Sequence, residues 1–201
     1  MTAASKTALR DRLLGSRAGV ADAVRAAEAR MLSDHLGRTV SSGTTVCAYV
    51  PVGTEPGSIE MLDVLLDRAG RVLLPVARTG ADGAPVPLRW GEYRPGGLVP
   101  GRWGLLEPPE PWLPESALAG ADLVIVPALA VDHRGVRLGR GRGFYDRSLG
   151  ARDPRARLVA VVRDEEFVDE LPAEPHDVPM THVLTPRGGL VAVFSARHGG
   201  E

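Results

Sequence analysis

The sequence has little of several things, and each shortage closes a class of explanation. One cysteine in 201 residues, Cys47 in "VCAYV", excludes an internal disulfide and makes a reducing cytoplasm the expected home. A lone thiol in so apolar a context is expected in the core. No hydrophobic run reaches the roughly 20 residues a membrane span needs; "LVIVPALAV" is among the longest. The opening "MTAASKTALRDR" lacks the apolar centre of a signal peptide, which again points to the cytoplasm. Lysine is almost missing: of 24 basic residues only Lys6 is one, and the rest are arginines. Net charge is also nearly absent, at −1, so nothing draws the whole chain to nucleic acid or an anionic membrane. No repeat or low-complexity tract is visible.

What is present suits one compact domain over residues 1–201, with enough apolar residues (44%) for a sizeable core. Residues 5–36 read as helical with a break at Gly15–Gly19. Ala8, Leu9 and Leu13 mark one apolar face, and Val24, Ala27, Met31 and Leu32 a second. "TTVCAYVP" reads as a buried strand. "IEMLDVLLDRAG" reads as a helix capped by Ser58 and stopped by Gly70. "RVLLPVA", "VPLRWGEY", "DLVIVPALAV", "RLVAVVR", "HVLTP" and "LVAVF" read as further strands, with "DEEFVDELP" a short acidic turn or helix. Residues 94–116 are rich in proline and glycine and predict a long irregular connection, ordered by Trp103 and Trp112. Continuous apolar strands alternating with helices predict a mostly parallel sheet covered on both faces, with a ligand site at the carboxyl ends of its strands.

The most unusual stretch is "RLGRGRGFYDRSL", residues 137–149. Gly139, Gly141 and Gly143 let backbone N–H groups approach phosphate oxygens, and Arg137, Arg140 and Arg142 add permanent forked charge. A surface turn with solvated arginines is the plainer alternative. The stretch matches neither a Walker loop, since no lysine follows, nor the dinucleotide fingerprint, which would want glycine at Phe144. Asp146 is either a helix-start carboxylate or a magnesium ligand beside phosphates, with Asp177 in "EPHDVPMTH" a second such carboxylate. His176 and His182 flank the latter without thiolate or H-x-E spacing for zinc. No G-x-S-x-G elbow is present. Glu55, in "YVPVGTEPGS", is either a solvated loop residue or a carboxylate that orients a ligand rich in N–H donors. Lys6 and Arg10, four residues apart, share one helix face, where two cations repel unless a polyphosphate lies between them.

Taken in order, "KTALR", "YVPVGTEP", "VPALAVDHRGVRLGRGRGFYDR" and "EPHDVPMTHVLTP" resemble the 5-formyltetrahydrofolate cyclo-ligase (methenyltetrahydrofolate synthetase) family, over residues 6–186. The resemblance implies a single three-layer α/β/α cyclo-ligase domain that uses ATP and Mg²⁺ to close 5-formyltetrahydrofolate to 5,10-methenyltetrahydrofolate. It also implies the site. Lys6, Thr7, Ala8, Leu9 and Arg10 would line the ATP pocket with Arg137, Leu138, Gly139, Arg140, Gly141, Arg142, Gly143, Phe144 and Tyr145. Val50, Glu55 and Arg10 would contact folate, and residues 140–144 would lie between the two substrates. Asp146 and Asp177 would hold magnesium. Expected partners are small molecules alone, ATP and a folate that carries a polyglutamate tail in some forms, with a monomeric protein, no nucleic acid and no membrane. Two other classes remain open on residues alone: a sugar-phosphate isomerase or CoA transferase of similar fold, and an RNA-binding module built on the Arg-Gly stretch.

Overall fold

The computed structural model describes residues 3–174 and 177–193. In chain order its elements are α1 (Ala3–Ala18), α2 (Asp22–Thr39), β1 (Thr45–Cys47), α3 (Ile59–Ala69), β2 (Arg71–Val76), β3 (Arg89–Glu92), β4 (Val99–Pro100), β5 (Leu106–Glu107), β6 (Leu123–Pro127), β7 (Ala130–Asp132), β8 (Arg137–Leu138), α4 (Phe144–Ser148), β9 (Arg157–Val161), β10 (Phe167–Val168), β11 (His182–Thr185) and β12 (Gly189–Ala192). Short 3-10 turns at Arg102–Gly104, Glu115–Gly120, Leu149–Ala151 and Asp164–Glu166 fill the connections.

Seven strands make the central sheet, in the order β12-β11-β9-β6-β1-β2-β3. Its five inner strands run parallel, and the two edges, β3 and β12, are antiparallel to their neighbours. The mostly parallel sheet expected from the continuous apolar runs is therefore present. Alternation along each strand sends neighbouring side chains to opposite faces. Val72 and Leu74 of β2 join one core with Leu32 and Leu36 of α2 and Met61, Leu62 and Leu65 of α3. Leu73 joins the other with Cys47, Val124 and Val126. Among the described residues that second face carries no long helix: α4 and the turns holding Leu118 and Leu149 cover it. Cys47 is fully buried there, its thiol pushed up to about 12 by burial, so it stays protonated at neutral pH.

The Gly70 stop is where the sequence puts it, in the left-handed conformation that L side chains avoid (φ 88°). Ser58 stands at the N-cap position, but its hydroxyl bonds the Glu60 carboxylate and holds that group below its usual range, rather than capping the backbone.

Three expectations change. Val24 is exposed; of the face expected for α2 only Leu32 is fully buried, and Ala29 and Leu36 join it. The long connection contains a small ribbon, with β4 antiparallel to β5. "DLVIVPALAV" is two strands, not one: the chain leaves the large sheet after Pro127, and β7 pairs with β8 and β10 in a separate three-stranded sheet. The Ala128 carbonyl, which a continuous strand would give to a sheet neighbour, accepts a hydrogen bond from Arg17 Nη2 at 2.6 Å. Helix α1 lays Leu9, Leu13 and Leu14 on this smaller sheet, against Leu129, Leu138 and Leu171. That is what brings the N-terminal helix beside the glycine-rich loop.

Candidate active site

Strand β1 lies between β2 and β6, so the chain moves to opposite sides of it before and after residue 100. Such reversals open a crevice at the carboxyl ends of the strands. A cavity of about 270 Å³ occupies this one. Its walls come from the β1 loop (Tyr49, Val50, Glu55), the break after β6 (Ala128, Leu129), the glycine-rich loop and Trp103.

The loop's three arginines, alike in sequence, sit in three different places. Arg137 is nearly buried; its Nη2 lies 2.5 Å from Asp146 Oδ1, its Nη1 donates to the Pro127 carbonyl, and its guanidinium stands 5.6 Å from the Tyr145 ring. Arg140 is half exposed and reaches across the cavity, Nε to Glu55 Oε1 at 3.1 Å. Arg142 lies over the Trp103 ring at 5.0 Å. Gly141 has a positive φ of 89°, and a Cβ there would sit 3.3 Å from the Arg10 guanidinium carbon. Arg10 in turn donates from Nε to the Gly139 carbonyl at 3.0 Å. Helix α1 thus braces the loop from outside.

Glu55 is held from two sides, since its Oε2 also accepts the Val52 N–H at 3.0 Å. Burial pushes its carboxyl above the usual range, opposed first by Arg140, then by the Val52 N–H and Arg17. Tyr49 and Tyr145 are pushed up as well, burial first and the Glu55 charge second, so both stay protonated around this carboxylate.

The other proposed site residues fall around this centre. Leu138 is buried in the smaller sheet beneath the loop. Phe144 packs against Trp103 with ring centroids 5.7 Å apart, forming an aromatic rim. Asp146 is on the cavity wall. Asp177 is not: it pairs with Lys6, which lies 3.9 Å from Asp177 Oδ2 and 3.0 Å from Glu174 Oε1. The Glu174 N–H also donates to Asp177 Oδ2 at 2.7 Å. Thr7 and Ala8 are exposed on α1, and Leu9 is spent on packing. His176 is outside the described residues. The structure brings Glu55, Arg140 and the loop glycines together directly, with Arg10 behind them. Lys6 and Asp177 form a separate pair.

Three residues on the wall were not among the site residues expected from the sequence. Glu107 is buried and grips Arg78 through both oxygens, at 2.6 and 2.8 Å, which fixes the ribbon that carries Trp103. Trp103 itself is at the ribbon's tip with a left-handed backbone (φ 58°) and a half-exposed ring. Trp112, its counterpart, is away from the cavity: its indole N–H bonds the Pro108 carbonyl and Arg78 stacks on it. Arg17 is 1% exposed, with Nε and Nη2 on the two Glu166 oxygens at 2.7 Å each. Its Nη1 has no hydrogen-bond partner among the described residues. The only hint in the sequence was an arginine near the end of an amphipathic helix; Glu166 is 149 residues away.

Comparison with known proteins agrees on one family. The sequence profile of the 5-formyltetrahydrofolate cyclo-ligase family matches residues 2–186. A Mycolicibacterium smegmatis protein named 5-formyltetrahydrofolate cyclo-ligase is 58% identical over 193 residues, covering 96% of this chain and all of its own. An Escherichia coli K12 protein of the same name is 32% identical over 71% of this chain and 78% of its own. Among solved structures, the Aquifex aeolicus 5,10-methenyltetrahydrofolate synthetase superposes with a TM-score of 0.68 at 24% identity, covering 98% of this chain and 95% of its own. At that identity the superposition speaks for the fold.

Proposed function

The chain belongs to the 5-formyltetrahydrofolate cyclo-ligase family, and from that premise we propose that it converts 5-formyltetrahydrofolate to 5,10-methenyltetrahydrofolate, with ATP going to ADP and phosphate. The chemical difficulty is that the formyl group is an amide: its carbon is a weak electrophile and its oxygen a poor leaving group. In the reading we favour, the formyl oxygen attacks the γ-phosphorus and ADP departs. N10 of the folate then adds to the activated carbon, the carbon–oxygen bond breaks to release phosphate, and the N10 proton leaves with the ring closed.

The protein's part is positioning and charge neutralisation. One observation supports this best: Arg140 and Glu55 meet at 3.1 Å inside a single cavity. A phosphate-binding loop and a carboxylate suited to a donor-rich ring are thus close enough to hold two substrates at the bond to be made. Bound phosphate would draw Arg140 and Arg142 from their present partners, while the loop's N–H groups meet its oxygens. Trp103 and Phe144 would exclude water on the folate side.

Magnesium fits the donors present. Asp146 is partly exposed on the cavity wall, and no group of three or more His, Cys, Asp or Glu side chains among the described residues could cage a cation alone. Mg²⁺ commonly takes one or two carboxylates and completes its shell with phosphate oxygens and water. Asp146 would hold it, with Asp177 the second candidate, and the ion would neutralise developing phosphate charge. The remaining parts of the reading are a cytoplasmic monomer and small-molecule substrates that include polyglutamylated folates.

The test is ADP formation by purified protein with Mg-ATP. ADP should appear only when 5-formyltetrahydrofolate is added and not with unformylated tetrahydrofolate. ADP release indifferent to the formyl group would overturn the proposal.

A further inference from the structure

Arg17 is unusual for a residue that only builds the fold. Its guanidinium has five N–H donors; Glu166 and the Ala128 carbonyl occupy those on Nε and Nη2, and Nη1 is left without a partner among the described residues. A buried charged donor left unmet is costly, and nearly all such groups in folded proteins have a partner. If stability alone mattered, two apolar side chains in place of the Arg17–Glu166 pair would serve as well or better.

Its surroundings show what could meet it. Arg17 lines the main cavity with Tyr49, Glu55, Ala128 and Leu129, and it also lines a smaller adjoining cavity behind the Gly53–Ser58 turn, again with Glu55. Tyr49 does not take the free nitrogen; its hydroxyl donates to the Pro56 carbonyl at 2.5 Å. Arg17 and Glu55 therefore face the same two cavities, one a fixed donor and the other a fixed acceptor, with no salt bridge between them. Arg140, the present partner of Glu55, is on the exposed loop; Arg17 is clamped through Nε and Nη2 and cannot leave.

We propose that Arg17 is a further substrate-binding residue, whose Nη1 donates to the ring carbonyl oxygen of the folate beside the N–H groups held by Glu55. This rests on the reading that the folate ring lies against Glu55. The ring's edge carries, in order, an amino group, a ring N–H and a carbonyl oxygen at position 4. A carboxylate takes the first two, and the next atom along needs a donor. An acceptor and a donor side by side in the wall complement that edge.

The test is ligand discrimination. Two folates are compared for binding, one with the natural 4-oxo ring and one with a 4-amino group that removes the acceptor. Wild type is set against the double variant Arg17→Gln/Glu166→Gln, which exchanges the buried ion pair for two amides, and against Arg17→Lys. The accompanying change at N3 acts on Glu55 in every protein and cancels in the comparison. Thermal unfolding confirms that each variant is folded. The preference for the 4-oxo ring should shrink by about ten- to hundred-fold in the variants, the range for a lost charge-assisted bond. A folded variant with the wild-type preference would make Arg17 scaffolding and overturn the proposal. Should neither variant fold, the two ligands are compared in Glu55→Gln protein, whose amide can accept from N3–H or donate to N3: a remaining preference of at least about tenfold for the 4-oxo ring supports the donor, and a smaller one or equal affinity refutes it. A wild type that cyclises 5-formyltetrahydrofolate but fails these tests loses only the role of Arg17. One that does not bind this folate at all loses the functional reading itself.

Discussion

Glu55→Gln separates the two halves of the cavity. The side chain is 10% exposed, and glutamine keeps its shape and its bond from the Val52 N–H, so the fold should survive. Burial already disfavours the charge at Glu55, which makes its removal cheap for stability. The Arg140 pair is half exposed on the arginine side, so its loss is worth about 0–1 kcal/mol. The apparent KM for ATP should therefore move by no more than about fivefold. For the folate, loss of a charge-assisted hydrogen bond in a partly buried site costs on the order of 1.5–3 kcal/mol. That is about a ten- to hundred-fold fall in kcat/KM. Initial rates with each substrate varied in turn give both numbers. The pH dependence adds a sign. The ionised form of Glu55 is the binding form and its pKa is raised, so wild-type folate affinity should decline as pH falls through that raised value, while the variant stays flat. Equal losses for both substrates, or a folate effect below about threefold in folded protein, would refute the reasoning.

Asp146→Asn should fold normally, because Arg137 keeps its bond to the Pro127 carbonyl, yet lose most activity; near-wild-type turnover across a range of magnesium concentrations would remove Asp146 from the metal site. Lys6, the sole lysine, is paired with Glu174 and Asp177, so an amine reagent at near-neutral pH should label it slowly, and Mg-ATP should slow it further. Peptide mapping locates the label, and full activity in Lys6-labelled protein would place that residue outside the ATP site. At Asp164, burial pushes the carboxyl up but is outweighed by hydrogen bonds from Thr185 and from the Gly188 and Arg187 N–H groups, so its pKa is lowered. Its stabilisation is present above the ordinary carboxylate range and disappears as pH falls through the lowered value. Asp164→Asn should accordingly cost about 2–4 °C in Tm at pH 7, and the gap should close under strongly acidic conditions; a gap that persists there would contradict the assignment.

Much of the fold was legible because it is written locally. The apolar runs of β2, β6 and β9 and the glycine stop of α3 need only nearest neighbours in sequence to be read. What was not legible depends on partners far along the chain. The strand break at Ala128 is visible only once Arg17 is seen to take its carbonyl, and Arg17 itself is explained only by Glu166. Trp103 and Trp112 come from one irregular stretch; one faces the cavity and the other anchors the connection, a division set by which tip of the ribbon reaches Phe144. At the site, the glycine-rich loop and Glu55 were both evident as residues. Their meeting across the cavity follows from the strand order, which no short motif encodes.

The most direct measurement follows one oxygen atom. 5-Formyltetrahydrofolate labelled with ¹⁸O in its formyl group is turned over with Mg-ATP, and the released phosphate is weighed by mass spectrometry as the near-ultraviolet band of the methenyl product grows. If the formyl oxygen is phosphorylated and leaves with the phosphate, each phosphate carries one label and its amount matches the methenyl formed. Unlabelled phosphate, or no methenyl band, would contradict the account.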